Sequence, residues 1–416
     1  MRRATTFASM ALAVVMVAAS CSRGPDPIRV GAIYPLAGSQ GPGGTDEYRG
    51  VLLAADLANA QGGVAGRPIQ LVPLNVPGSD AAAAGVDELA GQGIHLVLGS
   101  YGSTISQPAA LEAVRRGMLF WETGAVGSMP GAGPGRLFFR VAPSGSVLGR
   151  AAIAFIAEHV APMLHRNPRS LRFGVANVDD LYGRSVAEGA VAEIHDLGLP
   201  FVGRFPYDPY HPGPATVVKR IARARPDVVF VSAYLQDGID IRREMVRQHL
   251  HLVAGIGSSS SFCMQAFGDA LGPDAVGLFA SDKPDASAIN VSGLLPQARA
   301  LLDRAQAAYR TRYHEGMTAA ALAGFSAAWA LFHDVMPNAG GTTPGEVAAA
   351  ALRTRLAQGA LPNGSGLDFG PAGSIDAGAN LRAVSVIWEW TWSRWRAVVW
   401  PPQFATEQPK YIPLMP

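Results

Sequence analysis

Short apolar runs alternate with helix-patterned segments along almost the whole chain, and this alternation restricts the fold more than any other feature. A strand too apolar to leave either face in water must be covered by helices on both sides, which is the condition of a parallel sheet built from βαβ units. Strands are expected over Ile28–Tyr34, Ile69–Leu74, Ile94–Leu98, Met118–Trp121, Leu171–Ala176 and Val228–Val231. Helices are expected over Asp46–Ala60, Ala81–Gln92, Val147–His165, Val186–Leu197, Asp237–Leu250 and Leu294–Arg312. In the last of these, Leu294, Ala298, Leu301, Ala305 and Ala308 recur at spacings of three and four, an apolar stripe on one face. The fold class is therefore α/β, with doubly wound, mainly parallel sheets.

The N-terminal segment follows different rules. Arg2 and Arg3 precede an uncharged, mostly apolar stretch, Ala4 to Ser20, which has the layout of a secretory signal peptide over residues 1–20. It is short for a membrane span. Val17-Ala18-Ala19-Ser20 places small residues before Cys21, a pattern that resembles a bacterial lipoprotein processing site. Cleavage there leaves Cys21 to carry lipid, with residues 21–27 as a tether. An ordinary cleavage site beside an incidental cysteine, or a Cys21–Cys263 bridge, are the alternatives. Beyond residue 20 no apolar run approaches the roughly 20 residues of a spanning helix, so the body reads as a soluble one whose only membrane contact is the anchor.

Removal of Arg2 and Arg3 takes the Lys and Arg total from 34 to 32, against 32 Asp and Glu. Binding to nucleic acid draws most of its affinity from neutralised phosphates, and a chain with no basic excess is not built for it. With only two cysteines a disulfide framework is excluded. The remaining length, about 395 residues, exceeds what one core usually organises and argues for two domains. The glycine- and proline-rich segment from Gly124 to Gly135, followed by Arg136 to Val141, marks one crossing between them. Others are expected near Gly277 to Pro284 and Asn363 to Phe369, and three crossings put the chain ends in different domains. From Ala383 to Val399, where five tryptophans fall between Trp388 and Trp400, an edge hairpin is expected.

Catalytic signatures are scarce. No Gly-x-Ser-x-Gly elbow, His-Glu-x-x-His helix or Cys-x-x-Cys pair occurs, and the nine histidines do not gather at metal-ligand spacings. The glycine run at Gly41 to Gly44 lacks the flanking strand and helix of a dinucleotide site. No cofactor and no metal are expected. The informative segment is Gly99-Ser-Tyr-Gly-Ser-Thr-Ile-Ser-Gln-Pro-Ala109, which follows a strand, offers the hydroxyls of Ser103 and Thr104, and enters a helix at about Ser106. A carboxylate or carbonyl oxygen is well held at such a helix start. The plainer alternative is that Ser103 or Ser106 caps the helix.

Five segments in order resemble the type I periplasmic solute-binding proteins of the branched-chain amino acid (Leu/Ile/Val-binding) class, which serve ABC importers. They are Val30-Gly-Ala-Ile-Tyr-Pro-Leu-Ala-Gly38, Asn59-Ala-Gln-Gly-Gly-Val-Ala-Gly66, Gly117-Met-Leu-Phe-Trp-Glu-Thr-Gly-Ala125, Asp179-Asp-Leu-Tyr-Gly183 and Pro226-Asp-Val-Val-Phe-Val-Ser-Ala-Tyr234. The resemblance spans the chain after the signal segment. It implies two lobes joined by a three-strand hinge, residues 28–141 with 282–365 and residues 142–281 with 366–416. It also implies a monomer without enzymatic activity that delivers a small solute to permease and ATPase subunits at the outer side of a membrane. Carried over by position, Gly102, Ser103 and Thr104 would hold a carboxylate or equivalent oxygen, and Gly124 and Ala125 would offer main-chain groups. Tyr182 and Tyr234 would close over the solute with ring surface and a hydroxyl.

Two departures bear on the solute. Val126 stands where amino-acid binders place a threonine. The stretch Gly255-Ile-Gly-Ser-Ser-Ser-Ser261, with Ser258 the expected contact, offers hydroxyls where an acid would pair with an ammonium, leaving Glu122 and Asp180 as candidates for that role. Trp121, Glu122 and the serine run suggest a solute with an apolar or aromatic body and polar ends. A sensory binding protein that reports a ligand to a regulator is the alternative function, and the export signal counts against it.

Overall fold

The computed structural model describes residues 25–129, 137–208, 213–371, 373–374, 377–392 and 395–415. The signal segment, Cys21 and residues 130–136 lie outside the described residues, so the expectations placed on them are not addressed by the fold.

The strands fall into two sheets. β1 (Ile28–Tyr34), β2 (Ile69–Asn75), β3 (Leu96–Gly99), β4 (Leu119–Glu122) and β5 (Phe138–Arg140) form a five-stranded parallel sheet in the order β2-β1-β3-β4-β5. β6 (Phe173–Val178), β7 (Phe201–Tyr207), β8 (Val228–Ser232), β9 (Ala254–Ser258), β10 (Phe279–Asp282), β11 (Val386–Trp392) and β12 (Trp395–Trp400) form a seven-stranded sheet in the order β12-β11-β10-β9-β8-β6-β7. Only β11 and β12 run antiparallel to their neighbours. They are the expected tryptophan hairpin at the sheet edge, with Trp388 and Trp390 fully buried.

The helices are α1 (Gly41–Ala60), α2 (Ala82–Gly91), α3 (Ser103–Arg115), α4 (Gly145–Phe155), α5 (Ala161–Met163), α6 (Leu181–Asp196), α7 (Pro214–Ala224), α8 (Leu235–Arg247), α9 (Gln265–Leu271), α10 (Pro296–Tyr313), α11 (Ala319–Trp329) and α12 (Pro344–Arg353). α4 and α6 pack on the seven-stranded sheet, whereas α10 and α11 return to pack on α1, and α12 reaches β4. The chain thus starts in one sheet and finishes in the other.

Three expectations need correction. α1 begins at Gly41 rather than Asp46, so the glycine run does lie between a strand and a helix, and forms the first turn of α1. Its glycines serve packing: a Cβ on Gly44 would lie 2.1 Å from the carbonyl oxygen of Pro35, and one on Gly43 would lie 2.3 Å from the Tyr101 ring. Second, Ala319–Asn338 is a 20-residue helical segment long and apolar enough to span a membrane, but 78% of its most apolar window is buried inside the protein. It is a core helix. Third, α3 begins at Ser103, not near Ser106.

Register places the strand ends that matter. Gly99 of β3 lies level with Glu122 of β4, and Ser258 of β9 lies level with Ser281 of β10. The loops that follow these strands therefore emerge side by side, which is where ligands bind to open parallel sheets.

Candidate ligand site between the two sheets

Ser103 opens α3 with Gly102 as the N-cap, and no side chain caps this helix. Ser103 is buried, and its hydroxyl accepts the backbone N–H of Gly127 at 2.9 Å. Ser106 is spent elsewhere, donating to Glu122. Neither serine is a cap. The first helical amide bonded to Gly102 is that of Ile105, at 3.1 Å, so the amides of Ser103 and Thr104 sit at the positive end of the helix. Gly102 lets Gln40 approach: a Cβ would lie 1.6 Å from its Oε1 and would push the amide aside. Gln40 in turn donates to the Thr104 hydroxyl at 3.3 Å.

The seven-stranded side supplies the tyrosines. Asp180 caps α6 by accepting the Gly183 amide at 2.8 Å, which seats Tyr182 in the first turn. The Tyr182 hydroxyl donates to the Ser259 carbonyl and lies 2.9 Å from the Ser258 hydroxyl. The Tyr234 hydroxyl donates to Asp180 Oδ2 at 2.7 Å, and the two rings meet with centroids 5.2 Å apart. Both hydroxyls are thus engaged within their own half, and what they turn toward the opposite half is ring surface.

These groups surround three compartments in a row. An inner one of about 20 Å³ is lined by Gly102, Ser103, Gly124, Tyr182, Tyr234 and Lys283 among others. Across Tyr234 lies an outer chamber of about 950 Å³, which also holds Thr104, Asp180 and Gln40. Across Tyr101, Ser259, Ser260 and Lys283 lies a rear one of about 170 Å³ that Asp282 and Arg396 border. Ser103, Gly102, Gly124, Tyr182 and Tyr234 are therefore brought together, with Thr104 on the outer side.

Glu122, Ala125 and Ser258 are placed differently from the expectation that they touch solute. The Glu122 carboxylate accepts the amides of Gly124 and Ala125 at 3.0 and 2.8 Å and faces into the five-stranded half. Burial pushes its pKa up to about 7, opposed by the charge of Arg140 and by the bonds from Ser106 and the two amides. It borders none of the three compartments, and it uses up the main-chain donors that Gly124 and Ala125 would have offered. Gly124 instead accepts, through its carbonyl, from Lys283 Nζ at 2.9 Å. Ser258 lies beneath Tyr182, and Ser259 and Ser260 form the wall.

Sequence reasoning missed Lys283, Tyr101 and Glu47. Glu47 is buried on α1, accepts from Thr123 at 2.6 Å, and Thr123 pairs with Tyr34 at 2.7 Å. Burial raises its pKa to about 8 despite the charge of Lys283. Gly124 passes so close that a Cβ there would lie 1.8 Å from Glu47 Oε2. No group of three or more His, Cys, Asp or Glu able to hold a metal occurs among the described residues.

Two α/β halves with a lined cleft at their strand ends define a solute-binding protein of the two-lobed kind. The profile described as "Periplasmic binding protein" matches residues 27–379, and the chain belongs to that family. It is 24% identical over 373 residues to Leu/Ile/Val-binding protein homolog 8 of Brucella suis biovar 1, covering 89% of this chain and 91% of the relative. Among solved structures it is similar to a leucine-binding protein of Thermotoga maritima, with a TM-score of 0.73 at 15% identity over 89% and 97% of the two chains. It is also similar to a solute-binding protein of an ABC transporter from Rhodopseudomonas palustris BisB5 in complex with 3,4-dihydroxy benzoic acid, with a TM-score of 0.69 at 16% identity over 88% and 93%. These relatives are solute-binding proteins rather than enzymes.

Proposed function

We propose that this chain is the extracytoplasmic, lipid-anchored binding component of an ABC importer, capturing a small organic solute between lobes 28–141 with 282–365 and 142–281 with 366–416. The convergence carries the reading: Ser103 at the start of α3 and Tyr182 and Tyr234 beside α6 and α8 come from different sheets and border one compartment. Family membership and the binding proteins among its relatives support delivery to a permease and its ATPase, and the chain is proposed to act as a monomer. Gly102, Ser103 and Thr104 contact the polar end of the solute, Gly124 walls the compartment through its backbone, and the two tyrosine rings cover the body. An aromatic or aliphatic carboxylate fits this division, and the dihydroxybenzoate complex of one structural neighbour is consistent with it.

Native mass spectrometry of the protein purified from its own cells tests capture. A single retained small molecule, released unchanged after long incubation, is the expected result; chemical turnover would refute a pure binding role. Lipid anchoring through Cys21 is tested by fractionating cells that make Cys21→Ala, which should leave the membrane fraction.

A further inference from the structure

Lys283 follows β10 in the segment that leaves the seven-stranded sheet, and it is 6% exposed. An ammonium has three donors. One reaches the Gly124 carbonyl at 2.9 Å, and among the described residues no carboxylate forms an ion pair with it. The two carboxyls that feel its charge, Glu47 and Asp282, are both held toward their neutral forms by burial, and each keeps one buried oxygen without a partner. A buried ammonium without a counter-charge is costly, and proteins seldom keep one without a use.

The surroundings say what would complete it. Lys283 borders the inner compartment together with Ser103 and Gly102, so the ammonium and the positive end of the 13-residue helix α3 face the same space. No carboxylate lines that compartment. Five acids border the outer chamber instead, and each has a protein partner: Asp180 bonds Tyr234 and Gly183, Asp179 pairs with Arg184 at 3.0 Å, Asp237 bonds Tyr207 at 2.5 Å, Asp240 accepts from Gln236 at 3.1 Å, and Asp208 is also engaged. An ammonium attached beside the anionic group of a solute held in the inner compartment would meet Lys283, and no carboxylate lines that compartment to offset the repulsion.

We propose that Lys283 is the charge partner of the solute, and that the solute class is a small organic carboxylate bearing no ammonium beside its anionic group. This rests on the capture function proposed above and narrows it.

Calorimetric titration of the purified protein with skeleton-matched pairs tests the proposal: 4-methyl-2-oxopentanoate against leucine, and 3-phenylpropanoate against phenylalanine. At least one acid should bind about tenfold or more tightly than its amino counterpart. Lys283→Met should weaken that acid about tenfold or more, and Lys283→Arg, which keeps the charge, should retain most of the affinity. Circular dichroism of both variants separates lost charge from lost fold, and Lys283→Gln replaces the Met variant should that one not fold. Amino acids binding as tightly as their acids, or full acid affinity in folded Lys283→Met, overturns the proposal. Where neither pair binds, the molecule retained natively decides: an amine-free acid supports the class, a neutral or cationic molecule overturns it while capture stands, and no retained molecule overturns both.

Discussion

The hydroxyl of Ser103 accepts the amide of Gly127 at 2.9 Å, so one side chain ties the first turn of α3 to the loop that follows β4. Ser103→Ala strands that buried amide, and a stability loss of about 1–3 kcal/mol is expected. Where a solute oxygen shares the hydroxyl, affinity falls about tenfold or more as well. A thermal melt and a titration on the same variant check both, and an unchanged affinity would remove Ser103 from the binding site.

The stability of the protein should decline from mildly acid to mildly alkaline pH. The folded pKa of Glu47, about 8, lies above its ordinary 4.5, so between those values the folded chain holds a proton that the unfolded chain has released. The stabilisation is whole below pH 4.5 and is lost as the pH rises toward about 8. Glu122, raised to about 7, adds in the same direction. Urea unfolding at several pH values should show a shallower decline for Glu47→Gln, and an identical slope would show that Glu47 titrates normally.

Cys263 should be inert in the folded protein. Its thiol is buried and donates to Asp282 at 2.8 Å, and burial together with that carboxylate holds its pKa well above the ordinary thiol value. Since the thiolate is the reactive species, alkylation at pH 8 should be slow until denaturant is added. Fast labelling of native protein would contradict this placement.

Gly50 of α1 faces α11 so closely that a Cβ would lie 2.0 Å from the carbonyl oxygen of Ala321. Backbone cannot yield as a side chain tip does. Gly50→Ala is therefore expected to destabilise by about 1–3 kcal/mol through overpacking, read as a lowered urea midpoint with an unchanged slope.

Binding should draw the two halves together, since the groups that border the inner compartment come from both sheets. Small-angle scattering is expected to give a smaller radius of gyration at saturating solute. An unchanged radius would mean that the unliganded protein is already closed.

The sequence made some of this visible and hid the rest for physical reasons. β1, apolar apart from Arg29, and β8, apolar up to Ser232, were legible, whereas β9 reads Ala254-Gly-Ile-Gly-Ser258 and β7 carries Gly203 and Pro206, so neither announces a strand. The start of α1 was obscured because four residues of glycine and proline open it, a composition that signals a loop until their packing against Pro35 and Tyr101 is seen. A local motif singles out Ser103 and the family resemblance points to Tyr182 and Tyr234, and the fold brings all three to one compartment. Glu122 was misjudged because the end of a strand does not reveal which way a carboxylate turns, and here two following amides capture it. Lys283 carries no local mark: it meets Gly124 from 159 positions away, and only the meeting of the sheets makes it a buried charge.

The walls of the three compartments differ in what it takes to move them. Tyr234, its hydroxyl held by Asp180, lines both the outer and the inner space, whereas Tyr101, Lys283, Ser259 and Ser260 line both the inner and the rear one. The inner space, at about 20 Å³, has room for about one water, so a solute that meets the groups lining it would need a neighbouring space to open onto it. On the proposed reading the helix end and the buried ammonium would meet the head group, and the neighbouring space that opens would set the length of the rest: a pocket strict about chemistry at one end and tolerant of length at the other.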